Sequence, residues 1–402
     1  MNVAIIGGGA AGYFAAISCK RHHPDAHVTI YEKSSKTLAK VKVSGGGRCN
    51  VTHNCESVSQ LIKNYPRGGK ELKKAFYQFG AKETIHWFKN EGVILKTEKD
   101  GRIFPITDSS ETIIDCFENL LSKYNIKKKL NTEIKTVSRF ENGFKLITEN
   151  KQNYFAQRII VTTGGLQKIE KFNWLSELNH KIEKTVPSLF TFNMPNESIK
   201  SLQGITVSDV QIKVQGTKLQ TQGTLLVTHW GMSGPVILKL SAWGARIFNE
   251  KKYNFSIQVR WTGNLHDDEI LNIIYLESIN YPTKKIKNKN PFDIPNRLWE
   301  FLIQKIELNG EYCWNQLSKK NRNKLVNVLS NDIYQVEGKT TFKEEFVTCG
   351  GISLKEVNLE TFESKKVKKM YFAGEILDVD GVTGGFNFQN AWTTGFIAGK
   401  LE

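Results

Sequence analysis

The stretch Val3-Ala4-Ile5-Ile6-Gly7-Gly8-Gly9-Ala10-Ala11-Gly12 constrains the fold more than any other part of the chain. Four apolar residues in a row suit a strand buried on both faces, and Ala10 to Lys20 reads as a helix. Between them lies Gly7-x-Gly9-x-x-Gly12. Its first glycine allows a tight turn, its second lets a pyrophosphate approach the backbone, and its third lets helix and strand pack closely. The helix start favours an anion through its unpaired amides and its dipole. A second strand, His27–Tyr31, ends in Glu32, twenty residues after Gly12. A carboxylate there accepts both hydroxyls of an adenosine ribose and repels a 2′-phosphate, which favours FAD or NAD over NADP.

Three further landmarks belong with this opening. Ser44-Gly45-Gly46-Gly47-Arg48-Cys49-Asn50 is a glycine-rich loop able to run backbone amides along a flat ligand, with Arg48 adding positive charge. Arg158–Val161 reads as another buried strand, closed by Thr162-Thr163-Gly164-Gly165. Near the end, Met370–Ala373 leads into Gly374-Glu375, and Gly384-Gly385-Phe386-Asn387 enters a helix over Phe388–Lys400. The start of that helix offers amides and positive dipole to an anion. Its small residues Ala391, Thr394 and Ala398 permit close packing. Between the first and second landmarks, Glu71–Asn90 reads as one amphipathic helix and Val93–Phe104 as a hairpin turning at Lys99-Asp100-Gly101. A helix then runs to Lys123, and Ile126–Val137 reads as a strand that opens a β-meander.

The pattern changes from Pro187. Short β-rich runs at 189–193, 207–214, 224–228 and 254–259 suggest a small barrel or sandwich. Helices follow at Asp267–Ile279, Pro295–Glu307 and Ser318–Ser330. The expected division is therefore an α/β dinucleotide-binding domain made of 1–187 and 341–402, a β-barrel insert at 188–262 and a helical insert at 263–340.

Composition narrows the class. No run of about eighteen apolar residues is present, so no membrane span is expected. The fingerprint strand begins at Asn2, which leads us to expect no leader peptide and a cytoplasmic protein. The six cysteines (Cys19, Cys49, Cys55, Cys116, Cys313, Cys349) have no metal-ligand spacing and read as reduced thiols. The net charge of +16 points to an anionic partner such as nucleic acid. The lysine bias, 46 Lys against 10 Arg, is equally what an AT-rich genome produces. Two basic segments stand out: Lys284, Lys285, Lys287 and Lys289, then Lys319, Lys320, Arg322 and Lys324. Each also reads as a plain solvated face.

Taken together, Ser44–Asn50, Arg102-Ile103-Phe104-Pro105, Thr228–Pro235, Phe372–Asp378 and Gly384–Asn387 resemble the bacterial NAD(P)/FAD-dependent oxidoreductases often labelled aminoacetone-oxidase-like. Bile-acid-inducible reductases are among that family's members. The resemblance spans the whole chain and implies a two-dinucleotide-binding-motif FAD domain (Rossmann-like) interrupted by a barrel and a helical domain. It implies non-covalent FAD held by Gly7, Gly9, Ala10, Ala11, Gly12, Glu32, Lys33, Lys40, Ser44, Gly45, Gly46, Arg48, Cys49, Asn50, Val137, Thr163, Gly164, Gly165, Gly374, Glu375, Asp380, Gly385, Phe386 and Asn387. With one GxGxxG in the chain, NAD(P)H would bind transiently beside the flavin. One branch of the family is similar to ribosomal RNA dihydrouridine synthases, which implies hydride delivery to a uridine and a proton donor for C5. Cys49, His53, His229 and Cys349 are the candidate donors. A reductase or oxidase of enones or amino ketones, and an FAD-containing RNA-binding factor without turnover, are the alternatives.

Overall fold

A computed structural model describes residues 1–165, 172–341 and 347–402. They form two compact units, Met1–Ser188 with Phe342–Glu402, and Leu189–Thr341.

The first unit is organised on a five-stranded parallel sheet. Strand β1 (Asn2–Ile6) lies at its centre, between β2 (His27–Tyr31) and Arg158–Val161, with Lys127–Lys129 and Met370–Phe372 outermost. Its central residues are apolar on both faces because both sides are covered, by helices and by the β-meander; Val3, Ile5, Val28, Ile30, Ile159 and Ile160 are almost fully buried. Helix α1 (Ala10–His22) packs on the C-terminal helix Phe386–Lys400. The closest approach falls at Gly395 and Gly399, one turn apart. A Cβ at Gly399 would sit 2.5 Å from the Ala15 carbonyl oxygen, and one at Gly395 would sit 2.8 Å from that of Ala11. These glycines, more than the expected Ala391, Thr394 and Ala398, set the helix spacing.

Several sequence expectations change in detail. The span 71–90 is two helices, Lys73–Gln78 and Ala81–Asn90. Gly80 breaks it: the Glu83 carboxylate accepts from the Gly80 amide at 2.8 Å, and a Cβ there would meet the Phe76 carbonyl at 2.6 Å. The span 126–137 serves two sheets. Lys127–Lys129 extends the parallel sheet, and Ile134–Phe140 opens the meander with Gly143–Thr148 and Asn153–Ala156. The final helix starts two residues early, at Phe386.

The second unit holds a seven-stranded antiparallel sheet. Its strands 206–214 and 254–260 alternate buried and exposed residues along most of their length. Helices Asp267–Asn280, Asn296–Lys305 and Lys319–Ser330 match the expected three. One hydrophobic cluster runs from Phe190 through Val259, Trp299 and Leu329 to Val336. Strand Asp332–Glu337 returns beside Asn254–Arg260. The division at 262/263 therefore crosses a shared core, and we keep it as a proposal about chain organisation only. No helix among the described residues is long and apolar enough to cross a membrane.

Candidate functional site

The candidate site forms where β1 ends. Gly7 takes φ +114° and donates its amide to the Tyr31 carbonyl at 2.9 Å. A Cβ at Gly7 would be 2.5 Å from the Thr162 carbonyl oxygen, and one at Gly12 would be 2.0 Å from the Gly7 oxygen. Both positions admit only glycine. Gly9 differs: a Cβ there would meet nothing within 4 Å, so the backbone faces open space. The first helical bond of α1 is Tyr13 N–H to the Gly9 carbonyl, which leaves the Ala10, Ala11 and Gly12 amides without an intrahelical acceptor. Glu32 stands beside this turn. One of its carboxylate oxygens accepts from the Gly8 amide (2.7 Å) and the other from the Ser34 amide (2.9 Å). These amides orient the carboxylate while leaving lone pairs for hydroxyl donors. Lys33 next to it is exposed.

The strand ending in Thr162 brings a second group to the same edge. Thr162 Oγ1 donates to the Ile6 and Gly7 carbonyls, bracing the first turn. Gly164 takes φ +74°, and a Cβ on Gly165 would strike Thr348 Oγ1 and Glu375 Oε1. Glu375 accepts from the Thr348 amide (2.9 Å) and pairs with Lys40 (2.7 Å). Gly374 packs on Ala11, where an added Cβ would lie 2.7 Å from the Ala11 Cβ. Among the described residues, the buried hydroxyls of Thr163 and Thr348 find no hydrogen-bond partner. Unpaired buried hydroxyls are costly, so this edge suits a polar ligand that satisfies them.

The glycine loop forms a third group. Helix Ala39–Gly47 is broken within: Ser44 is extended, and Gly45, Gly46, Gly47 and Cys49 take φ of 58°, 70°, 84° and 59°. A non-glycine residue with such a φ is uncommon, and Cys49 is held there by its amide bond to the Ser44 carbonyl (3.0 Å). The loop then joins the start of the C-terminal helix. Asn50, in the amide orientation that satisfies its neighbours, donates to the Thr52 and Ile103 carbonyls and accepts from the Gly385 amide at 3.1 Å. A Cβ on Gly385 would lie 2.8 Å from the Thr52 backbone. Thr52 Oγ1 donates to Gln389 (2.6 Å), and Trp392 Nε1 donates to the Val51 carbonyl (2.9 Å). The ring of His53 stacks on Phe386, with centroids 4.9 Å apart. Residues more than three hundred positions apart thus share one surface.

Four of the expected cofactor residues spend their side chains within the protein. The Arg48 charge is engaged by protein groups. It pairs with Glu98 (2.6 Å) and Asp108 (3.4 Å) and lies over the Phe104 ring (4.0 Å), so it braces the loop from behind. Asp380 is fully buried in a pair with Arg67 and accepts from Ser188 Oγ (2.8 Å), so its carboxylate ties down the segment before Gly381. The Asn387 amide is spent on the backbone of Gly381 (2.8 and 2.9 Å). Val137 is buried opposite Leu146 in the meander, and its side chain belongs to that packing. Sequence reasoning missed Arg67, Thr348 and Gln389. Arg67 and Thr348 lie outside any motif, and Gln389, on the final helix, reads as an ordinary helical residue.

Among the candidate proton donors, Cys49 and Cys349 have no exposed surface, and burial pushes the Cys49 thiol up to about 12. Neither thiol can touch a substrate in this conformation. His53 is half-buried, and burial holds it below its ordinary value. His229 is exposed and lies in the second unit.

The chain is 25% identical over 411 residues to the 3-dehydro-bile acid delta(4,6)-reductase of Clostridium scindens, covering 99% of this chain and 98% of that one. It is 28% identical over 407 residues to the ribosomal RNA dihydrouridine synthase of Escherichia coli, covering 98% and 96%. Among solved structures, the 3-ketosteroid delta1-dehydrogenase of Sterolibacterium denitrificans shares the fold with a TM-score of 0.50 at 12% identity, covering 99% of this chain and 98% of that one. The FrdA subunit of Escherichia coli quinol fumarate reductase shares it with a TM-score of 0.51 at 13% identity, covering 99% and 69%. The chain belongs to the family described as the HI0933-like protein Rossmann domain, which matches residues 1–401, and has the Rossmann-type fold of FAD-dependent oxidoreductases.

Proposed function

We propose that the chain is an FAD-dependent reductase that saturates a C=C bond conjugated to a carbonyl, its substrate being a uridine of large-subunit ribosomal RNA. Bound FAD would relay hydride from NAD(P)H to the β-carbon of that system. The observation that carries the reading is the ligand-ready edge at the end of β1, with its free first-turn amides and its two unpaired buried hydroxyls. In this reading the Ala10, Ala11 and Gly12 amides hold the pyrophosphate and Glu32 the adenosine ribose. The Thr163–Gly165 turn with Thr348 and Glu375 lies along the ribityl chain, and the loop from Ser44 to Asn50 with Gly385 borders the ring. Conjugate reduction builds negative charge on the substrate carbonyl and requires a proton at the α-carbon. His53 is the candidate donor in the first unit because it is a partly exposed acid–base group, stacked on Phe386 at the loop and helix junction. The names of both relatives fit this chemistry, since a uridine C5–C6 bond and a steroid dienone are each conjugated to a carbonyl. The RNA reading is favoured by the charge of +16. Nucleoside mass spectrometry of large-subunit RNA should lose a dihydrouridine on deletion of the gene and regain it on complementation. Unchanged dihydrouridine, where no other synthase acts on that RNA, would exclude the RNA substrate.

The bile-acid relative supports a second reading, a reductase of small enones. It predicts saturable NAD(P)H oxidation with a free 3-keto-4-ene steroid and none with RNA.

A further inference from the structure

Resting on the RNA reading, we infer that the groove between helices Asp267–Asn280 and Lys319–Ser330 binds an unpaired nucleotide of the RNA strand, its base on Tyr275 and its flanking phosphates on Lys319 and Arg322. A pocket of about 410 Å³ opens there, within the size range of small-ligand sites. The first helix turns Ile270 and Ile274 into the core. Leu271 and Tyr275, one turn apart on another face, stay 38% and 51% exposed and line the groove. This apolar lining is not used by the protein's own packing.

The polar lining has the chemistry of a nucleotide. Asn272 and Asn323 each present donors and an acceptor suited to base edges. A tyrosine ring stacks on any base. Lys319 and Arg322 supply charge that is still available, because the described ion pairs of this unit fall on Arg260, Lys285, Lys287 and Lys305. The earlier basic segment differs. Lys285 and Lys287 both converge on Glu311, which is held down at about 2 by them, and Lys289 lies over Tyr281. The two segments look equivalent in sequence, yet the later one borders the groove with cations that lie outside the described ion pairs.

The test is fluorescence anisotropy of the full-length protein with a labelled single-stranded uridine-containing RNA of about twelve nucleotides. Tyr275→Ala should weaken binding about tenfold or more, and Tyr275→Phe should restore it. Lys319→Gln and Arg322→Gln should each flatten the plot of log affinity against log salt by about 0.7. Because Tyr275 and Lys319 are exposed and Arg322 is only half-buried, thermal melts should match the parent protein. Parent-like affinity in Tyr275→Ala and Arg322→Gln, or no RNA binding by the parent, overturns the groove. So does loss of binding to an acidic peptide or to phosphatidylserine vesicles with RNA affinity unchanged. If the groove variants bind RNA normally while ribosomal dihydrouridine still depends on the gene, only the groove assignment fails. Dihydrouridine that persists on deletion removes the RNA reading itself.

Discussion

The two units differ in where their distinctive features lie. In the first, Gly7, Gly12, Gly385 and Gly399 mark places where backbone meets backbone at distances no side chain tolerates, and charges such as Asp380 are buried in pairs. In the second, the core is side-chain packing from Phe190 to Val336, and its distinctive features lie on the surface. The first arrangement holds a rigid cofactor-shaped edge. The second leaves a surface free to meet a variable substrate. Binding a common cofactor demands a fixed backbone, whereas choosing a substrate demands only a few placed side chains.

The largest effect expected from breaking this contrast is at Gly12. Gly12→Ala forces a methyl 2.0 Å from the Gly7 oxygen and should cost about 3 kcal/mol or more by overpacking, read as loss of soluble protein or a steep fall in melting temperature. Next comes the buried pair: Arg67→Met strands Asp380 and should destabilise by about 3–5 kcal/mol in denaturant titration. The double variant Arg67→Met with Asp380→Leu should recover part of that loss. Gly9→Ala sharpens the comparison. Its methyl meets no protein atom, so stability should change by about 1 kcal/mol or less. FAD content after purification should nevertheless drop, since the methyl stands where the proposed pyrophosphate approaches. An FAD content equal to that of the parent would remove Gly9 from the site.

A smaller effect follows from His180, which is buried, bonded to Ser364 (2.7 Å) and held below its ordinary value chiefly by burial. As pH falls below about 6.5 the unfolded chain takes up this proton before the folded one. Stability should therefore fall with pH by at most about 1.4 kcal/mol per unit from this group, until the lower folded value is passed. Replacement by Gln should flatten that slope in melts run from pH 7 to 5. The smallest change is at Lys285→Gln, an exposed cation sharing Glu311 with Lys287, where no shift in melting temperature is expected.

The sequence made the first unit legible because its constraints are carried by residue type. A glycine spacing between a buried strand and a helix, with an acid at the next strand end, has few physical solutions, and the parallel sheet around β1 is one of them. Strand Arg158–Val161 and the Gly384–Phe386 helix start were legible for the same reason. Partners chosen by the fold were not. Arg48 looked like a ligand cation because Glu98 and Asp108 lie fifty and sixty residues away. Cys49 looked reactive beside a glycine loop, yet burial removes it from solvent. The break at Gly80 was hidden by an apolar pattern that continues through it. In the second unit, the two lysine segments cannot be told apart until Glu311 and Tyr275 are placed beside them.

In the proposed function, this chain passes hydride from a reduced nicotinamide through bound FAD to a conjugated C=C bond. Anaerobic stopped-flow absorbance tests it most directly. NADPH or NADH should bleach the flavin of the purified protein. Large-subunit RNA lacking the modification should then restore the oxidised spectrum, with one dihydrouridine formed per flavin reoxidised. Flavin that neither nicotinamide reduces, or reduced flavin that neither RNA nor a steroid enone reoxidises, would contradict the account.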